Sequence, residues 1–329
     1  MSPRARLGLR RAGVAVALAF SFAHAVPDAA ADAPSATPAP ARTTLGRFTT
    51  TYAHDAEHHA RAFNVELAAE AIDGRVLAPG ATLSFNDVVG ERTAAFGFEK
   101  ATVLRDRMIA EGTGGGTCQV ASTLHAAALL AGMEVVARAP HSRPSGYIRM
   151  GLDATVVFPK VDLKLRNPRS TGVVVHAHAA RGSLDVWLDG EGDKPAVTLT
   201  SEIVERIPFE RTIERAGKGD RPVPPDTVRV KAFGIPGFRV QRTRTVRAAD
   251  GGARREVHVD EYGPTSEVLV VAPSFDEARL ARPTDADDPD APPPTAPTAP
   301  LLRDEAGVQK PVLVQLRPST RVELDNSAR

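Results

Sequence analysis

The sequence predicts an α+β fold, an antiparallel sheet packed on two helices and followed by a small β-rich hairpin extension. Three observations lead there. Residues 57–72 carry apolar Phe63, Leu67, Ala68, Ala71 and Ile72 at helical spacing and close on Asp73-Gly74. Residues 118–131 are mostly good helix formers with little charge, and Gly132 supplies a stop. After this second helix, short β runs at 134–137, 147–150, 153–158, 162–165, 172–178 and 183–188 are separated by Gly, Pro or Asn.

At the N-terminus, Arg4, Arg6, Arg10 and Arg11 precede an apolar run over 12–23 that ends in Ala23-His24-Ala25. Residues 1–25 therefore read as a secretory signal peptide, by the ordinary or the twin-arginine route, and the protein is expected to be exported to the periplasm, cell envelope or medium. The run is short for a bilayer, and no other segment reaches about 18 uninterrupted apolar residues, so no stable membrane span is expected after cleavage. Residues 26–43, rich in Ala, Pro, Asp, Ser and Thr, read as a disordered leader.

The main domain is expected over 44–194. It starts with a strand at 45–52, continues through the first helix, and passes a turn-punctuated stretch at 76–90 before the second helix. A β-rich extension over 195–275 contains a long hairpin, 238–248 and 254–261, turning at Asp250-Gly251, with 266–271 as a third strand. Residues 276–329 become acidic and then rich in Pro, Ala and Thr, which reads as a disordered tail.

A net charge of +1 with no basic stripe argues against a nucleic-acid partner. Neither a cofactor nor a metal is expected: His54, His58 and His59 read as a polar helix start, and His176 and His178 share one face of a strand.

The single cysteine is more informative. In an exported protein Cys118 cannot form an internal disulfide, so it is a buried small hydrophobe, a partner for another molecule, or a chemical group. It follows Gly114, Gly115 and Gly116 and stands in the first turn of an apolar helix, where unpaired amides and the helix dipole favour thiolate. Backbone N–H groups from Gly116 to Gln119 are placed to hold an oxyanion.

Leu83-Ser-Phe-Asn86, Arg92-Thr93, Gly97-Phe98, the block from Gly114 through Cys118-Gln119 to Leu124, His141-Ser142, Tyr147 and Gly151-x-Asp153 resemble, in order and spacing, the VanW-like family. The resemblance covers about residues 44–190, departs at Ala121 where many members have serine, and implies a cell-envelope setting and an association with vancomycin-resistance clusters. Cys118, His141 and Asp153 follow the chain order of transglutaminase-like cysteine peptidases, with histidine as base and carboxylate as orienter. Asp162 is a rival for the last role. Asn86, Arg92, the three glycines and Gln119 are candidate substrate contacts; Gln119 alternatively satisfies buried polar groups, and the Asn86–Arg92 segment alternatively is an ordinary solvated loop.

Two functions fit. One is a thiol-dependent amide hydrolase or transpeptidase acting on cell-wall peptides. The other is a non-catalytic envelope module that binds peptidoglycan or a partner protein.

Overall fold

A computed structural model of the chain describes residues 42–105, 108–247, 252–280, 301–302 and 321–325. The expected signal peptide and nearly all of the leader lie outside them. In chain order the first elements are β1 (Arg42–Thr51), α1 (His59–Ile72), β2 (Arg75–Leu77), β3 (Thr82–Ser84), α2 (Phe85–Val89), β4 (Lys100–Arg105), β5 (Met108–Thr113) and α3 (Thr117–Leu130). Then come β6 (Glu134–Ala137), β7 (Lys164–Arg166), β8 (Val173–Ala180) and β9 (Ser183–Glu191). The extension adds β10 (Ala196–Ile207), β11 (Arg211–Arg215), β12 (Val228–Ala232), β13 (Gly237–Arg247), β14 (Ala253–Tyr262) and β15 (Glu267–Val271), and beyond it lie β16 (Leu301–Leu302) and β17 (Arg321–Asp325).

The central sheet has the order β1-β9-β8-β2, every pair antiparallel. Alternation decides which side is buried: Leu184, Val186 and Leu188 of β9 point inward while Asp185 and Asp189 stay partly exposed. Both helices cover that inner face, as the fold class requires. The α1 stripe is rotated from the expected one, however. Ala62, Val65, Ala68, Ala69 and Ile72 are buried, whereas Phe63 is exposed and Leu67 and Ala71 only border the core. Buried Asn64 explains the rotation, because its side chain bonds both backbone groups of Glu99 and the carbonyl of Gly115.

Helix α3 is buried on nearly every side. Its last turn lies directly on β1 at Gly46, where a Cβ would stand 2.3 Å from the Ala131 nitrogen and 2.6 Å from the Ala127 carbonyl oxygen. Gly132 then takes φ +74° and ends the helix.

In the extension, β13 and β14 form the expected antiparallel hairpin, flanked by β10 in the order β14-β13-β10-β17. The segment expected as its third strand does not join it. β15 pairs instead with β11 and β12 in a separate sheet, because its consecutive apolar residues Leu269, Val270 and Val271 are all buried, with Leu269 and Val271 in a core with Val228, Val230 and Phe275. Within the expected tail, β17 pairs with β10 and β16 with β12, and Leu324 packs near Leu199. The remainder of that segment beyond Leu280 lies outside the described residues. No helix among the described residues is long and apolar enough to cross a membrane.

Candidate active site

The approach to α3 is built by close packing. A Cβ on Gly114 would stand 2.5 Å from Arg92 Cβ, one on Gly115 2.4 Å from the Thr102 carbonyl oxygen, and one on Gly116 2.8 Å from Val65 Cγ2. Gly114 and Gly116 also have φ of +83° and +111°. The expected ligand cradle is thus filled by Arg92, β4 and α1 of the protein itself. Thr117 donates its amide and hydroxyl to Gly114 O, and the Gln119 amide donates to Gly116 O. The Cys118 amide between them has no acceptor among the described residues, as helix-start geometry allows.

Cys118 is half-buried. Its Sγ lies 3.5 Å from both the amide nitrogen and the carbonyl oxygen of Val156. The His141 imidazole lies near the thiol, close enough to act on it electrostatically. The imidazole is buried; its Nδ1 lies 2.7 Å from Asp153 Oδ2 and its Nε2 lies 3.3 Å from the Tyr147 hydroxyl. The same Oδ2 accepts the His141 amide at 2.7 Å. Three residues from three separate segments therefore converge into a thiol, imidazole and carboxylate relay.

The electrostatics favour an ion pair. Burial pushes the Cys118 thiol up, but the nearness and charge of His141, the Val156 amide and the Arg92 charge outweigh it, and the net shift is downward. Burial lowers the imidazole, but its bond to Asp153 and the nearby Cys118 dominate and raise it to about 9. Asp153 is held far below the usual carboxylate range: burial opposes this, while His141, Arg138 and Tyr262 enforce it.

Residues 60–188 match the family model described as VanW like protein. The relatives agree. An uncharacterized protein of Bacillus subtilis, YoaR, is 37% identical over 144 residues, 44% of this chain and 47% of that protein. The vancomycin B-type resistance protein VanW of Enterococcus faecalis is 28% identical over 112 residues, 32% of this chain and 41% of that protein. Residues 60–188 are VanW-like. The chain spans less than half the length of either relative. Among solved structures, the IgA1 protease G5 domain matches 24% of this chain and 93% of its own at 22% identity, with a TM-score of 0.17.

The VanW-like segment contains Cys118, His141 and Asp153, yet part of what holds them lies outside it. Tyr262 of β14 donates to Asp153 Oδ1 at 2.5 Å and accepts the Gly151 amide at 2.6 Å. Arg138 donates to Asp153 Oδ1 at 2.9 Å and to its carbonyl at 2.7 Å, and pairs with Asp260, also of β14. Arg242 of β13 donates to Gly151 O at 2.6 Å. Met150 packs against Phe238, Val240 and Tyr262. Arg138 lies three positions before His141, a clue that local spacing offers; Tyr262 has no such signal.

In the sequence Tyr147 stands out only through the resemblance. Its hydroxyl lies 3.3 Å from His141 Nε2 and 3.4 Å from Ser122 Oγ, so it reaches the reacting side of the ring. Ser122 in turn accepts the Ala154 amide at 2.8 Å and lies 2.7 Å from Cys118 O, tying α3 to the Asp153 segment.

Other expected contacts are placed differently. Gln119 is fully buried and committed: it donates to Thr50 Oγ1 and Thr51 O and accepts from Arg61, so it braces α3 against β1 and α1. Asp162 is not the orienting carboxylate. It accepts from Ser84 Oγ at 2.6 Å and the Asn86 amide at 2.9 Å, at the start of α2. Asn86 is buried and donates to Val161 O, with its Oδ1 left without a partner among the described residues. Arg92 lies against the Gly114 turn, and its charge acts on Cys118. His58 bonds Asp55, and an open depression is lined by His54, Asp55, Ala56, His59 and Ala62. A second is lined by residues including Arg169 and Glu191. Neither borders Cys118.

Proposed function

We propose that this protein is an exported cell-envelope enzyme that breaks or exchanges amide bonds of cell-wall peptides through Cys118. The observation that carries the proposal is the convergence of a half-buried thiol, His141 and Asp153, with the imidazole bonded to the carboxylate and acting electrostatically on the thiol. Export is supported by the basic and apolar N-terminal sequence ending in Ala23-His24-Ala25. One relative is named for vancomycin resistance, which accords with a cell-wall setting.

In this mechanism the Cys118 thiolate attacks the amide carbonyl carbon, and the carbonyl π electrons move to oxygen. The Cys118 amide, without an acceptor of its own among the described residues, is placed at the helix start to donate to that oxygen. As the C–N bond breaks, imidazolium Nε2 gives its proton to the departing amine and a thioester remains. Neutral His141 then takes a proton from water or from an acceptor amine, whose attack releases the acyl group and regenerates thiolate and imidazolium. Asp153 keeps the ring oriented and compensates its charge throughout.

A binding-only module is favoured by a separate observation: the hydrogen-bonding groups at the sulfur are the amide and carbonyl of Val156 rather than the imidazole. Incubating wild type and Cys118→Ser with cell-wall peptides, and following amine release by mass spectrometry, separates the two. Release by wild type alone supports the enzyme. Binding by both, with release by neither, supports the module. Mass spectrometry of exported material should find an N-terminus at Val26; an intact Met1 in the cytoplasm would sink the export claim.

A further inference from the structure

We propose that the Cys118 site takes substrates bearing a carboxylate beside the attacked amide, and that the Nε–Nη2 edge of Arg92 recognises it; this rests on the thiol-enzyme function proposed above. Arg92 follows α2, and its Cβ and Cγ press on Gly114, 2.5 and 2.8 Å from where a Cβ there would stand. Gly114 is also the acceptor that starts α3. The side chain therefore crosses the turn that delivers the thiol. Its guanidinium stands over the Phe85 ring at 5.4 Å, and Nη1 is spent on Gly90 O at 2.7 Å.

The opposite edge is unspent. Nε and Nη2 are both buried and have no hydrogen-bond partner among the described residues. These two nitrogens form the side-on fork whose parallel N–H bonds match the two oxygens of a carboxylate. Leaving such a pair dry and unbonded is costly, and an anionic ligand removes the cost. The neighbouring acid does not serve, because Asp162 already accepts from Ser84 and Asn86.

Arg61 reinforces the field from the far side of the glycine turn. Its carbonyl oxygen lies 3.0 Å from the Cβ point of Gly116, its Nη2 donates to Gln119, and its guanidinium stands 5.9 Å from the Tyr147 ring centre. Its Nη2 is committed within the protein, so it contributes charge while Arg92 contributes the bidentate contact. Burial depresses both guanidinium groups, and the negative charge of Cys118 partly restores each, as expected for cations that share one anionic centre.

The test compares alkylation of Cys118 by iodoacetate, which carries a carboxylate, with iodoacetamide, which is its neutral counterpart. Full-length wild type, Arg92→Gln, Arg92→Lys and a small free thiol are measured at one pH and ionic strength. The rate ratio of iodoacetate to iodoacetamide should exceed that of the free thiol by roughly tenfold or more in wild type. It should fall several-fold in Arg92→Gln and to an intermediate value in Arg92→Lys. On wild type alone, succinate should protect the thiol from iodoacetamide, and succinamide should not, which keeps the test decisive even where a variant folds poorly. A reactive thiol with no preference for iodoacetate, or a preference unchanged in Arg92→Gln, overturns the carboxylate site while leaving thiol catalysis standing. A thiol that reacts with neither reagent until the protein unfolds removes the catalytic function, and the substrate assignment with it.

Discussion

Tyr262 and Asp153 are 109 positions apart, and the tyrosine hydroxyl donates to the carboxylate at 2.5 Å. The same hydroxyl accepts the Gly151 amide, so one oxygen from the extension fixes both the carboxylate and the backbone just before it. Both groups are buried, where an unpaired partner is costly.

Tyr262→Phe should therefore lower unfolding stability by about 1–3 kcal/mol, since it strands a buried amide and removes a donor to a buried charge. Denaturant titration of the two proteins checks this. A difference within error would show that Arg138 holds Asp153 unaided.

The thiol should stay ionised below the ordinary cysteine range, so that the iodoacetamide rate of Cys118 has its midpoint well under about 8.5. His141→Ala should move that midpoint upward, toward the free-thiol value, because the partner that stabilises the thiolate is gone. Activity on wall peptides should also fall as pH rises past about 9, where His141 loses the proton it delivers to the leaving amine. Coincident profiles for wild type and His141→Ala would exclude the ion pair.

Acid should act through Asp153. Its folded pKa is depressed, so its stabilising contribution is complete above about pH 4 and is lost as pH falls from there toward the folded value. Asp153→Asn should be less stable than wild type at pH 7, and its stability should fall less steeply between about pH 4 and the acid limit. Parallel acid limbs in the two proteins would assign the loss to other carboxylates.

Two glycine substitutions should differ sharply. Gly115→Ala pushes a methyl against the Thr102 carbonyl and should cost about 1–3 kcal/mol or more, with loss of thiol reactivity. Gly172→Ala meets only Leu77 O at 3.8 Å and should change stability by about 0.5 kcal/mol or less. Thermal unfolding of both variants is sufficient to compare them.

Local signals carried the helices, the β13–β14 hairpin, and the order Cys118, His141, Asp153, because each depends on spacing or turn chemistry within a short stretch. The α1 face differs from the expected one for a specific reason: Phe63 is core-like by residue type, but Asn64 has three hydrogen bonds to satisfy in the interior and turns the helix accordingly. The glycines were legible as a site of close approach, although not as to what approaches. Arg92, Thr102 and Val65 do so, from three separate segments. Tyr262, Asp260 and Arg242 were not legible at all, since their partners lie about a hundred positions away and no periodicity encodes such a distance. The strand at 267–271 joins a sheet other than the hairpin's because pairing partners follow burial, which an alternating pattern cannot specify for an all-apolar run.

The seat of α3 on Gly46 also bears on the far end of the helix. Fourteen residues of α-helix span about 21 Å, so a rocking of about 3° at one end swings the other by about 1 Å. Displacement on that scale is enough to reduce a reaction by about a hundredfold. With no side chain between the helix and β1 at Gly46, the helix has a hard fulcrum rather than a cushion of rotamers. The aim of the sulfur is thus regulated in part by a glycine seated about three helical turns away, and a methyl group added there would act on the thiol as a long lever.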